Sequence, residues 1–84
     1  MFSFIGTLDA ARVTVDLWRP EPHALGDWAA RVRLTGPYTL DKLIFGVSAV
    51  QARGLALSLC HTLFEGHVLR DAHGRFARLP GRRG

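Results

Sequence analysis

The stretch VSAVQARGLALSLCHTLFE, residues 47–65, decides how the rest of the chain is read, because it is the only segment with sustained helical periodicity. Ser48 suits the N-cap position, where its hydroxyl accepts from the backbone N–H of Val50 or Gln51, and Gly66 supplies a C-terminal stop. At about 100° per residue, Gln51, Gly54, Ser58, His61, Thr62 and Glu65 share one narrow polar face. The remaining arc is apolar. Ala49, Ala52, Ala56 and Cys60 run down its middle, so the spacing predicts a helix over 48–65 that approaches a sheet closely, with Leu55, Leu59, Leu63, Leu57, Phe64 and Val50 on its flanks. That arc is wider than one sheet face requires, and Val68, Leu69, Phe76 and Leu79 are the residues available to cover the excess.

The segments before the helix alternate. Residues 2–8 set Phe2, Phe4, Gly6 and Leu8 against Ser3, Ile5 and Thr7, and residues 12–19 set Val13, Val15 and Leu17 against Arg12, Thr14, Asp16 and Trp18. A break at 9–11 makes these two a hairpin. Residues 19–26 read as a loop, since Pro20 and Pro22 remove backbone donors and hold the chain extended. Residues 27–35 alternate again, with Trp28, Ala30, Val32 and Leu34 inward and Asp27, Ala29, Arg31, Arg33 and Thr35 outward. After the turn at 36–38, residues 39–47 form a fourth strand that passes through Gly46 into the helix, and Phe45 is assigned to the inner face. Beyond Gly66, two short stretches around Asp71 and Gly74 suggest a hairpin or hook. The expected class is therefore α+β: a four-stranded, mainly antiparallel sheet with one helix on one face, a single domain over 1–79 and a flexible basic tail over 80–84.

Composition narrows the function. The 84 residues are 48% hydrophobic and carry a net charge of +4. From Arg70 onward five arginines stand against one acid, whereas residues 1–69 balance six bases with six acids, so the positive charge belongs to the end of the chain. One cysteine precludes an intramolecular disulfide and fits a reducing compartment, and Cys60, on the apolar arc, reads as a buried structural thiol. The start of the chain lacks a basic and then apolar leader, and no apolar run reaches about 18 residues, which predicts a cytoplasmic protein without a membrane span.

Chemistry-bearing patterns are sparse. The four histidines lack metal-ligand spacing, no phosphate-cradling or nucleophile motif occurs, and His61 with Glu65 is the ordinary i,i+4 pair of a solvated helix face. No cofactor, metal or catalytic set is expected. What remains is a surface: Trp18, Arg31 and Arg33 on outward strand positions, joined by Arg19, Glu21 and Asp27 from the adjoining segments. An aromatic anchor among mixed charges is the composition of a protein contact, and a homodimer is a further form of it. The alternative is nucleic-acid binding through the arginine-rich tail together with Arg31 and Arg33, with these arginines on phosphates and Trp18 stacking a base. The structural alternative is that Trp18 only covers the second sheet face or packs under the loop.

The run GVSAVQARGLAL at 46–57, together with Trp28 and the pair Leu79-Pro80, resembles a family of small uncharacterised bacterial proteins. In that family a tryptophan-led strand precedes a helix beginning Gly-Val-Asp-Ala-Leu-Gln-Ala-Leu. Ser48 replaces the family's Asp, and Arg53 and Gly54 stand where leucines are common. The resemblance covers about half the chain, implies the sheet-then-helix fold and implies no catalytic residue. In size and character, though not in motif, the chain is similar to immunity proteins that neutralise bacterial toxins. Those directed at RNA-cleaving toxins are often acidic, a point on which this chain departs.

Overall fold

The computed structural model describes residues 2–77 and 79. Strand β1 (Phe2–Leu8) pairs antiparallel with β2 (Ala11–Leu17) through a two-residue turn at Asp9 and Ala10, whose φ values of 51° and 70° are those of a primed hairpin turn. β2 continues after a short interruption as β3 (Glu21–Pro22), and both lie along the same edge of β4 (Trp28–Thr35). β5 (Leu40–Gly46) covers the other edge of β4 and leads into helix α1 (Ala49–Phe64). β6 (Leu69–Asp71) returns to pair antiparallel with β1.

Among the described residues the architecture is α+β, with one helix on one face of an antiparallel sheet, but the sheet has six strands rather than four. The two additions are short. β3 forms inside the expected loop because Glu21 and Pro22 lie along β4 opposite Ala29 and Trp28, and β6 is the first arm of the hook, pinned when the Ala77 N–H donates to the Leu69 carbonyl. The Asp71 side chain closes that hook by accepting from the N–H groups of His73 and Arg75.

The core follows the alternation. Leu8, Val13, Val15, Leu17, Ala30, Val32 and Leu34 are buried against Ala52, Ala56, Leu57, Cys60 and Phe64, with Leu69 and Leu79 closing one side. Fully burying side chains such as Leu17 and Leu34 contributes about 1.5–3 kcal/mol each. Ser48 caps α1 through the Gln51 N–H at 3.1 Å, and the Gln51 side chain in turn accepts from the Val47 N–H. Gly46 explains the tight handover. A Cβ there would lie 2.6 Å from the Ala52 backbone nitrogen, so only glycine lets the first turn of α1 settle onto β5.

Five inward assignments are overturned. Phe45 faces away from the helix, because it pairs with Ala29 on the outer side while Ile44, opposite Ala30, takes the core position. Val50 and Leu55 of the apolar arc are exposed, since the small-residue line centres the helix and leaves both flanks near solvent. Of the residues expected to cover the excess, Leu69 and Leu79 are buried, whereas Val68 and Phe76 are exposed. The basic segment 80–84 lies outside the described residues.

Candidate functional site

Among the described residues no helix covers the second face of the sheet. Side chains in register across β1, β2, β4 and β5 arrange it in rows. One row is Trp18, Arg31 and Leu43; the next is Ser3, Asp16, Arg33 and Asp41; on the other side Glu21, Ala29 and Phe45 line up. Leu43 is 51% exposed and Phe45 47% exposed.

A bulge builds the site. From Leu17, opposite Val32, to Glu21, opposite Ala29, β2–β3 advances four residues while β4 advances three. The extra residue falls within 18–20, where Pro20 cannot donate to the sheet. Trp18 and Glu21 are an odd number of positions apart and would face opposite sides of an unbroken strand. The bulge puts both on the open face. Between them, over the small side chain of Ala29, lies a cleft of about 300 Å³ lined by Trp18, Arg19, Glu21, Pro22, His23 and Arg31, among others. The His23 ring, part of that lining, meets Phe45 edge-on at 5.0 Å between centroids.

Charge is held in fixed geometry around the tryptophan. The guanidinium carbons of Arg31 and Arg33 lie 4.8 and 5.2 Å from the Trp18 ring centroid, within cation–π range. Arg31 also grips Asp41 with two parallel bonds, Nε to Oδ1 at 3.0 Å and a terminal nitrogen to Oδ2 at 2.8 Å. Arg33 reaches the same carboxylate at 3.8 Å. The hydrogen bond from Arg31 holds the Asp41 carboxyl below its ordinary value, and the reciprocal bond raises Arg31. Ser3 donates to Asp16 at 2.8 Å in the same row.

Of the six residues singled out from the sequence, Trp18, Arg19, Glu21 and Arg31 line one cleft, and Arg33 flanks it against Trp18. Asp27 does not join them. It sits at the end of a 3-10 turn (Ala24–Gly26), where its backbone carbonyl accepts from the His23 N–H. The sequence reasoning missed Leu43, Phe45 and His23. Leu43 and Phe45 had a signal in the apolar triplet Leu43-Ile44-Phe45, which must send either its middle or its outer residues outward.

A second hollow of about 310 Å³ lies at the far end of α1, bordered by His61, Glu65, His67, Phe76 and Leu79, among others. At its rim, Asp9 accepts from the Val68 N–H and contacts the His67 ring, which together hold the Asp9 carboxyl below its usual value. Among the described residues no three His, Cys, Asp or Glu side chains form a metal-holding group, and no helix is long and apolar enough to cross a membrane. Burial pushes the Cys60 thiol up, which disfavours the reactive thiolate. Comparison with protein-family models, curated proteins and solved structures finds no match to this chain.

Proposed function

We propose that the chain is a non-catalytic protein-binding domain whose partner docks on the open sheet face, most concretely as a toxin-neutralising immunity protein acting in the cytoplasm. The observation that carries this reading is the uncovered face itself: Trp18, Leu43 and Phe45 stand together among charges of both signs. Large side chains of this kind act as interface anchors, while surrounding polar groups fix orientation and exclude water. Arg31 and Arg33 support a protein partner over a nucleic acid, because both already face Asp41, and Asp16 and Glu21 share their side of the sheet. A phosphate backbone would meet carboxylates as well as guanidinium groups.

The test is calorimetric titration of the chain against the product of the neighbouring reading frame, paired with growth assays in which that product is expressed alone and together with this chain. Trp18→Ala is expected to weaken binding by about thirtyfold or more, the threshold of an interface hot spot. A harmless neighbour, together with copurifying RNA or DNA whose affinity falls steeply with salt, replaces this reading with nucleic-acid binding. Unchanged affinity in both Trp18→Ala and Arg31→Glu, with the fold verified, removes the open face from consideration.

A further inference from the structure

The sheet stops at β5. Its inner edge is paired with β4 along seven residues, and among the described residues no strand pairs with its outer edge. Such an edge presents a row of backbone donors and acceptors, which proteins usually blunt with prolines, inward charges or a covering loop. β5 has no proline, and its two charges sit near its start: Asp41, on the open face, is engaged by Arg31, and Lys42, opposite Val32 on the helix face, is the one inward charge, leaving Leu43–Gly46 without any. We propose that the outer edge of β5 pairs antiparallel with β5 of a second copy of the chain, joining two sheets into one about a two-fold axis.

Self-complementarity selects this occupant. A two-fold pairing that keeps both helices on the same side must place residues of equal parity opposite each other, so that open-face side chains meet open-face side chains. Three registers compete near the middle of the strand. Centring on Lys42 sets two ammonium groups together. Centring on Leu43 places Asp41 against Phe45 and Lys42 against Ile44. Centring on Ile44 places Leu43 of each copy against Phe45 of the other, Ile44 against Ile44 and Lys42 against Gly46, so no like charges meet and the apolar side chains pair on both sides of the sheet.

The helix supplies an independent observation. Arg53 borders a hollow with Phe2 and Leu17, so that flank of α1 looks toward β1 and β2. Leu55 is two residues further on, about 200° around the helix axis, which puts it on the opposite flank, toward the β5 side. Leu55 is 46% exposed, and Leu59, one turn later, is half-buried. In the two-fold arrangement these leucines approach their counterparts beneath the joined strands. The free edge is thus bordered by exposed apolar groups above it, at Leu43 and Phe45, and below it, at Leu55.

Sedimentation equilibrium of the full chain over a wide concentration range tests the proposal. The expected result is a monomer–dimer equilibrium. The double substitution Leu43→Glu with Phe45→Glu, which sets carboxylates opposite one another, is expected to weaken it at least tenfold while leaving the circular dichroism spectrum intact. Register is read by oxidation: a mixture of Leu43→Cys and Phe45→Cys chains crosslinks, whereas Leu43→Cys alone does not, and the buried Cys60 does not compete. A wild-type chain that stays monomeric at every concentration overturns the proposal, as does a dimer that survives the charge substitutions. Crosslinking by Leu43→Cys alone overturns the register. A monomer leaves the open-face reading standing, because Trp18→Ala probes that face without touching the edge.

Discussion

The two faces of this sheet come from the same strands and obey opposite rules. The face under α1 is apolar, aliphatic and small at its centre with Phe2, Phe4 and Trp28 packed against that core, and among the described residues no polar or charged side chain is buried there. The open face carries Trp18, Leu43 and Phe45 beside Arg31, Arg33, Asp16 and Asp41. Strand alternation is the cause, since each step along a strand moves the side chain to the other face. The consequence is separability: stability resides mainly on one face, leaving the other free to be specified for contact.

The largest effect should come from comparing one position on each face. Leu34 is fully buried, so Leu34→Ala is expected to cost about 2–5 kcal/mol in urea unfolding, through lost transfer energy and the cavity left behind. Leu43→Ala on the open face is expected to stay within about 0.5 kcal/mol. Equal losses would mean that the faces are not energetically distinct. Next in size is Ala56→Phe. Ala56 has no exposed surface between α1 and the sheet, and forcing a ring into that contact should cost about 1–3 kcal/mol by overpacking. An unchanged denaturant midpoint would show that α1 can lift away without penalty.

The covered face was legible in the sequence, while the open face was legible only in part. The N-cap at Ser48, the small-residue line of α1 and the inward sets of β1, β2 and β4 follow from local chemistry and period, and these are found in the structure. Phe45 was misplaced because three consecutive apolar residues give no parity. Its side is set by Gly46, which must lie beneath Ala52 on the helix face and so sends its neighbour Phe45 outward. The cleft was hidden for a related reason. Pro20 and Pro22 signal a loop, and nothing in the local sequence announces that the bulged chain resumes pairing with β4 at Glu21. Strand parity assigns Asp27 to the outward surface with Arg31 and Arg33, but β4 begins only at Trp28.

A smaller effect lies at the turn between β1 and β2. Ala10 adopts a φ of 70°, a left-handed conformation that an L side chain resists and glycine accepts. Ala10→Gly is expected to raise stability by about 1 kcal/mol, and its effect on partner binding should be nil, because the turn is remote from the cleft. A loss of stability instead would indicate that the entropy glycine adds to the unfolded chain outweighs the strain relieved.

The smallest expected effect is the contribution of the open-face ion pair to folding. Arg31 and Asp41 are both solvent-exposed, and exposed pairs add little to stability even with parallel hydrogen bonds. The hydrogen bond from Arg31 nevertheless lowers the Asp41 carboxyl below its ordinary value of 3.8. A group depressed in the folded state stabilises above its unfolded value, and that contribution disappears as pH falls through the lower, folded value. Asp9 and Asp71 are depressed by backbone N–H groups of Val68 and Arg75 and lose their contributions over the same acid range. The urea midpoint should therefore hold steady from neutral pH down to about pH 5 and fall below about pH 4. In Asp41→Asn the acid decline should be shallower, with little change at neutral pH. If partner affinity also falls in Asp41→Asn while neutral stability holds, the carboxylate serves the open face by fixing Arg31 beside Trp18. If the acid decline is unaltered, Asp9 and Asp71 account for it alone, and the acid response belongs to the turn and hook, not to the binding face.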